Sequence, residues 1–331
     1  MLITTTLEEQ VEIGMKGVDK TLNSIIDSDV VTLYDASGHI LDSGGKRVRP
    51  QLAILAYLAT DGQDVESVSP LAAAVELVHT ATLVHDDIND HSELRRGRPA
   101  VHSIWGRTFA LLTGDYLFAK VFALMAPYGA DYNVVMADAC VALVEGETIQ
   151  AIAAKKGEMN EEVYKQIIER KTASLFEAAT IMGAKFSGSD DETVEHLRKY
   201  GRYLGMAFQV VDDILDLIGD PEKMGKPKGL DLEQNRGVAM TTNGNGNGNV
   251  MYADGGDYRN GAIGGDGMSK MPHEVVQDIA EKLEGTNAIE LAKLQAQNLG
   301  ERARAELMHL PPSPARDDLE HFIDLVLNRD S

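Results

Sequence analysis

The stretch Leu71-Ala72-Ala73-Ala74-Val75-Glu76-Leu77-Val78-His79-Thr80-Ala81-Thr82-Leu83-Val84 is apolar almost all round and runs into Asp86-Asp87-Ile88-Asn89-Asp90. A helix apolar on every side is a buried helix. Carboxylates at its end are costly unless something pairs them. The arrangement recurs where Tyr203-Leu204-Gly205-Met206-Ala207-Phe208-Gln209-Val210-Val211 leads into Asp212-Asp213-Ile214-Leu215-Asp216. Residues four apart share a helix face, so Asp86 with Asp90, and Asp212 with Asp216, point their carboxylates the same way. One such motif in an acidic chain is ordinarily a solvated helix end; two of them, each ending a buried helix, argue for metal. Oxygen-only ligands select hard ions, and Mg²⁺ is completed by water and substrate phosphates. The pair therefore implies a cavity where Mg²⁺ clamps a diphosphate.

Outward from these motifs, long periodic segments with few strand signals predict an all-α protein. Helices are expected at Leu7–Ser28, Gln51–Ala59, Leu71–Asp87, Phe109–Ala126, Val134–Ala154, Glu161–Ala184, Thr193–Leu217, His273–Leu283, Ala288–Leu307 and Ala315–Leu327. With 44% hydrophobic residues, the 331-residue chain is read as one domain, a single large helical bundle around a central active-site cavity. Asn243–Gly267 holds nine of the 31 glycines and reads as part of a flexible, low-complexity insertion at about 241–270.

Two cationic clusters complement the acids. In Gly44-Gly45-Lys46-Arg47-Val48-Arg49-Pro50, two glycines precede three cations, and Pro50 suits the opening of a helix. Lys46 and Arg49 there could converge on a phosphate near the helix start. Arg95-Arg96-Gly97-Arg98-Pro99 follows the first acidic motif, and arginine forks match phosphate oxygens. The alternatives are a solvated basic loop or a nucleic-acid patch. A net charge of −21 with no continuing basic stripe excludes nucleic acid.

These motifs, in this order, resemble the trans-polyprenyl diphosphate synthases, which extend an allylic diphosphate with isopentenyl diphosphate. The similarity covers about Leu7–Gly229 and Glu274–Arg329. It implies the isoprenoid synthase fold and the following roles. Lys46, Arg49, His79 and Arg96 hold isopentenyl diphosphate. Asp86 and Asp90 carry Mg²⁺ on the allylic diphosphate, which Arg95 also contacts. Lys171 and Thr172 match a Lys-Thr pair near the allylic site, and Gln209 a glutamine before the second motif. Asp212 and Asp216 complete the metal site, Asp87 and Asp213 belong to the same catalytic motifs, and Lys226 reaches the leaving pyrophosphate. The resemblance also implies a homodimer. The plainer readings are a core histidine for His79 and a surface lysine for Lys171.

The acids are then ligands, and the proton released at the end passes to bound pyrophosphate. Val78, Ala81 and Thr82 lie along the path of a chain growing from Asp86; relatives with short products carry an aromatic residue near there. Small Ala81 and Thr82 favour geranylgeranyl or longer, unless they serve only helix packing. After Lys226 the family's Gly-Lys-x-Thr is replaced by Asn235-Arg236-Gly237-Val238, which bears on how the site closes. A class I terpene cyclase would lack the second acidic motif and the Gly-Gly-Lys segment. A non-catalytic or regulatory subunit of a heteromeric synthase would be expected to have lost metal ligands. The lone Cys140, in an apolar helix, fits inert packing and a reducing cytoplasm. The sequence carries no signal-peptide pattern and no uninterrupted apolar span, although a greasy product could bring the enzyme to a membrane surface.

Overall fold

A computed structural model describes residues 5–218 and 287–329. Within them the order is α1 (Leu7–Ile25), α2 (Val31–Leu41), α3 (Val48–Ala59), α4 (Val65–Asn89), a minimal hairpin of β1 (Leu94–Arg95) and β2 (Arg98–Pro99), α5 (Val101–Trp105), α6 (Arg107–Met125), α7 (Ala130–Lys156) and α8 (Glu161–Ile167). A π-helical segment, Ile168–Ala173, joins α8 to α9 (Ser174–Phe186); α10 (Asp191–Ile218), α11 (Asn287–Leu307) and α12 (Pro314–Leu327) complete the described chain. The all-α expectation holds. Lys226, the expected helix His273–Leu283 and the glycine-rich 241–270 stretch lie outside the described residues.

Local chemistry sets the helix starts. Thr6 and Glu9 form a reciprocal capping box on α1, with Thr6 N–H donating to Glu9 Oε2 at 2.8 Å and Glu9 N–H to Thr6 Oγ1 at 3.2 Å. Asn160 Oδ1 accepts from Val163 N–H at 3.0 Å, and Asp190 Oδ1 from Thr193 N–H at 2.8 Å. Some boundaries differ from expectation. α3 begins at Val48, so Pro50 sits inside its first turn instead of opening it, and α4 runs through Pro70 from Val65. α2, α5 and the hairpin are too short to give a clear period. The expected Glu161–Ala184 helix is interrupted in kind, though not in path, by the π segment.

The described chain divides into two compact units. The first comprises Met1–Cys140, Leu175–Gly201 and Glu306–Glu320. Its core is α4, where Leu71, Ala72, Ala73, Ala74, Val75, Leu77 and Val78 are all 0% exposed. α1, α3 and α6 pack against it. Ser69 Oγ donates to the Gly14 carbonyl at 3.0 Å, fastening α4 to α1. α9 meets α3 so closely that a Cβ on Gly183 would stand 2.2 Å from the Ala53 carbonyl oxygen. Buried Tyr200 donates to the Leu319 carbonyl at 2.8 Å, tying α10 to α12.

The second unit comprises Val141–Ser174, Arg202–Ala305 and His321–Ser331. Here α11 and α12 touch at Gly300, whose added Cβ would lie 2.8 Å from Leu327 Cδ1, and Arg304 Nη2 pairs with Asp324 at 2.5 Å. The Arg302 guanidinium stacks on Tyr203, 4.1 Å from the ring centroid. Two described helices, α4 and α6, are long and apolar enough to cross a bilayer by length and composition alone, a test that the core helix of a globular unit also passes. α4 is a core helix of the first unit. α6 buries Ala110, Thr113, Gly114, Leu117 and Val121 and carries Asp115 and Lys120.

Candidate active site

In the first unit the cationic segment is built on unusual backbone. Gly44 and Gly45 take φ of +79° and +146°, while Arg47 and Arg96 stand at +47° and +52°. A non-glycine residue held there costs about 1–3 kcal/mol and persists only where its surroundings over-determine it. For Arg47 the surroundings are visible. Its Nη1 donates to Glu76 Oε1 at 2.8 Å and its Nη2 to the Leu41 carbonyl at 3.2 Å. Glu76, 3% exposed, is a buried carboxylate on α4 that the pair neutralises. Arg47 therefore anchors the loop, and exposed Lys46 is carried beside it.

The same loop meets the hairpin. A Cβ on Gly45 would lie 2.5 Å from Arg96 Nη1, so only glycine leaves room for that guanidinium. Arg49 lies over the buried Phe176 ring with its guanidinium carbon 4.9 Å from the centroid. Burial, with the charges of Arg49, Arg96, Arg95 and Arg47 around it, holds His79 well below the ordinary imidazole range. His79 is thus a neutral imidazole among four guanidinium groups, and three expected residues, Arg49, His79 and Arg96, come together. Burial also draws Arg96 downward, against the opposing charge of Glu76.

About two to three turns beyond His79, at the end of α4, the acids divide their work. Asp86 and Asp90 are partly exposed; Asp87 is 1% exposed. Asp87 accepts from Arg95 Nε at 3.0 Å on Oδ1 and 3.2 Å on Oδ2, and also pairs with Nη2. Burial raises the Asp87 pKa against the pull of Arg95. Burial pulls Arg95 down, but the Asp87 hydrogen bond and the charges of Asp87, Asp86 and Asp90 overcome it and raise its pKa. Asp87 thereby fixes Arg95 beside the two outer carboxylates. Val78 and Ala81 are 0% exposed and Thr82 is 8% exposed, its hydroxyl donating to the His79 carbonyl at 2.8 Å.

In the second unit, on α10, only the first acid, Asp212, is partly exposed, while Asp213 and Asp216 are buried. Asp213, 4% exposed, accepts from Tyr164 Oη at 2.7 Å and from Gln209 Nε2 at 2.8 Å. Burial raises its pKa, and the neighbouring charges of Asp212 and Asp216 add to the rise. Gln209 Oε1 in turn accepts from Thr172 Oγ1 at 2.6 Å. Lys171, next to Thr172 in the π segment, pairs with Glu147 and donates to Gln150 Oε1 at 3.2 Å. A Cβ on Gly146 would stand 2.5 Å from the Lys171 amide nitrogen, so glycine lets α7 approach that backbone. π turns recur at functional sites because they re-aim side chains without breaking a helix. Asp212 pairs with Arg329, and Asp216 is 0% exposed.

Sequence reading missed Glu147, Gln150, Tyr164 and Arg329. Glu147 and Gln150 left a trace, being polar residues three apart in a helix of apolar character; Tyr164 and Arg329 left none. Among the described residues no three His, Cys, Asp or Glu side chains gather as a cage for a metal ion. Mg²⁺ does not require one, since it is held by one or two carboxylates with water and phosphate filling the octahedron. The outer carboxylates of each motif are donors of that kind. Cys140 needs no role: burial pushes its thiol up to about 11.

An all-helical fold bearing two aspartate-rich helix ends and an arginine-rich anion site defines the class of isoprenoid synthases. A model of the polyprenyl synthetase family matches residues 30–243. A short chain isoprenyl diphosphate synthase of Methanothermobacter thermautotrophicus is 37% identical over 318 residues, 94% of this chain and 95% of that one. A heptaprenyl diphosphate synthase component 2 of Geobacillus stearothermophilus is 36% identical over 318 residues, 96% of each. The crystal structure of a polyprenyl synthase from Caulobacter crescentus, complexed with calcium and isoprenyl diphosphate, superposes with a TM-score of 0.86 at 31% identity over 99% of both chains. The chain belongs to the polyprenyl synthetase family and is a trans-prenyltransferase with the all-α isoprenoid synthase fold.

Proposed function

We propose that the chain is a Mg²⁺-dependent synthase that condenses isopentenyl diphosphate with an allylic diphosphate to give a polyprenyl diphosphate of geranylgeranyl length or longer. The observation that carries this reading lies on α4. One helix presents a histidine that burial and the charges of four arginines hold neutral and, about two to three turns on, a pair of partly exposed carboxylates. A dianionic headgroup suits the first, and a cation-bridged diphosphate suits the second.

In this reading Lys46, Arg49, His79 and Arg96 seat isopentenyl diphosphate. His79, being neutral, serves as a hydrogen-bonding group and leaves the charge to its neighbours. Asp86, Asp90, Asp212 and Asp216 would hold Mg²⁺, which when bound stabilises the charge on the departing pyrophosphate. Arg95, held by Asp87, and Lys171, held by Glu147 and Gln150, are fixed cations aimed at the allylic diphosphate. The Thr172–Gln209–Asp213–Tyr164 chain keeps the π segment in register with α10. Lys226 is assigned to the leaving group by resemblance alone. Apolar helix walls protect the allylic cation from water, and the proton lost after carbon–carbon bond formation goes to pyrophosphate. Val78, Ala81 and Thr82 are small or slender, and none of them supplies an aromatic ring that would stop a product short.

α6 leaves Phe109, Leu111, Leu112 and Phe122 exposed on the side away from its buried residues. A second copy of the chain is the occupant we assign to that face, giving a cytoplasmic homodimer; sedimentation of wild type and Phe122→Asp tests it. The retained aspartates speak against a non-catalytic subunit. The function itself is tested by incubating the purified protein with labelled isopentenyl diphosphate, allylic starters of several lengths and Mg²⁺, then sizing the dephosphorylated products. Products of fifteen carbons or fewer from wild type would overturn the length reading. Ala81→Phe should shift the distribution toward fifteen and twenty carbons.

A further inference from the structure

One contact in the second unit has no place in the site as assigned so far. Arg329, beyond the end of α12, pairs through Nη2 with Asp212 on α10. Its guanidinium carbon also lies 4.2 Å from the centroid of Phe208, one turn before Asp212 on the same helix. The Arg329 side chain is only 13% exposed, against 39% for Asp212. Its Nε is buried without a hydrogen-bond partner among the described residues. This is a guanidinium held by a ring face on one side and a carboxylate at its edge, with part of its donor set unused.

The company of Asp212 explains why a cation belongs there. Asp213 and Asp216 follow within about one turn, and they are only 4% and 0% exposed. Three carboxylates so close repel one another in a part-buried setting, where Coulomb energies exceed those in water severalfold. A fixed positive group relieves that repulsion whenever no metal is present.

We infer that Arg329 is the resident counter-cation of the second acidic cluster, holding Asp212 in the metal-free enzyme and yielding it to a divalent cation. The inference rests on the proposed role of Asp212 as a metal ligand. Arg329 is then a positioning residue that keeps the motif folded and charge-balanced between turnovers, at the expense of metal affinity. The guanidinium and the metal compete for one carboxylate, so whatever strengthens the arginine contact weakens the metal, by linkage. The Phe208 contact makes the competition local, because the displaced group retains its stacking partner.

The test is Mn²⁺ binding to substrate-free protein, read from the electron paramagnetic resonance of free Mn²⁺, in wild type, Arg329→Gln, Arg329→Lys and Asp212→Asn. The expected result is roughly three- to tenfold tighter binding in Arg329→Gln, with Arg329→Lys near wild type because its charge remains. Asp212→Asn should weaken or remove a site. In parallel, the arginine Nε–Hε resonance of Arg329 should move on Mg²⁺ titration of wild type and stay still in Asp212→Asn. Unchanged or weaker Mn²⁺ binding in Arg329→Gln, with Asp212→Asn still defective, overturns the counter-cation role and leaves the metal assignment standing. Normal Mn²⁺ binding in Asp212→Asn overturns the metal assignment itself. If Arg329→Gln fails to fold, an Arg329 resonance in wild type that stays still throughout Mg²⁺ saturation still decides against the inference.

Discussion

Replacing Asp87 by asparagine separates the middle aspartate of the first motif from its neighbours. Its carboxylate is 1% exposed and receives three contacts from one guanidinium, two of them to Nε at 3.0 and 3.2 Å. Asparagine keeps one acceptor but turns an amide N–H toward the arginine, so at least one charge-assisted bond is lost and one donor faces another. Such bonds contribute about 1.5–3 kcal/mol each. Breaking a fully buried pair costs about 3–5 kcal/mol, but Arg95 is 28% exposed and keeps Asp86 and Asp90 nearby, which moderates the loss. Removing a desolvated carboxylate returns a part of it. The net expectation is about 2 kcal/mol, or roughly 3 °C in melting temperature for a chain of 331 residues. Catalytically, a loosened Arg95 should raise the Michaelis constant for the allylic diphosphate about tenfold, with a smaller fall in turnover. Calorimetry and steady-state kinetics with both substrates measure these effects. A Asp87→Asn protein that melts like wild type, or that loses turnover as completely as Asp86→Asn at unchanged allylic Michaelis constant, would refute the division of labour among the three acids.

Asp86→Ala and Asp212→Ala should each lower turnover by at least ~100-fold while the fold survives, because one lost ligand weakens stabilisation at the step where charge develops; circular dichroism and kinetics check the two halves of that statement. Arg49→Ala should raise the Michaelis constant for isopentenyl diphosphate by about an order of magnitude or more and leave the allylic one nearly alone, and a rise confined to the allylic substrate would invert the subsites. His79 gives a pH signature. Its folded pKa lies well below the ordinary 6.5 through burial and arginine charge, so below that pH the unfolded chain takes up a proton the folded chain refuses. Stability from this group is therefore present above pH 6.5 and lost as pH falls, by at most about 1.4 kcal/mol per unit. His79→Gln should flatten the drop in melting temperature between neutral and mildly acid pH, and an unaltered slope would mean that His79 titrates normally.

The fold class and the acid motifs were legible because they are written in long patterns. Leu71–Val84 is apolar on every face and proves to be the core of its unit, and the spacing of Asp86 and Asp90 follows from helix geometry alone. What escaped was contact between distant residues. Nothing in the composition of 161–186 announces a π turn, or that α7 comes close to its backbone at Gly146. Tyr164 is an ordinary tyrosine until Asp213, forty-nine residues away, accepts its proton donor. Arg47 carried no assignment between Lys46 and Arg49 in the sequence, whereas in the structure Glu76, buried inside an apolar run, claims it. A charged residue in an otherwise apolar helix was the available clue, for a buried carboxylate requires a cation from somewhere.

The π segment from Ile168 to Ala173 also has a consequence for inheritance. A π turn holds one residue more than the α turn it replaces, so it is a single-codon insertion absorbed inside a helix. Deleting Arg170 or a neighbour would let 161–186 wind as regular α-helix, with better hydrogen bonds and higher helix content. It would also rotate Lys171 and Thr172 by about 100° against α8. Tyr164 on α8 is held by Asp213 and Thr172 in the π segment by Gln209, so the two cannot both keep their partners on α10 after such a rotation. The deletion that most improves the helix as a helix is therefore the one lineages cannot keep. Length variation among descendants of this gene should collect in the loops on either side of 161–186 and leave that irregular turn untouched.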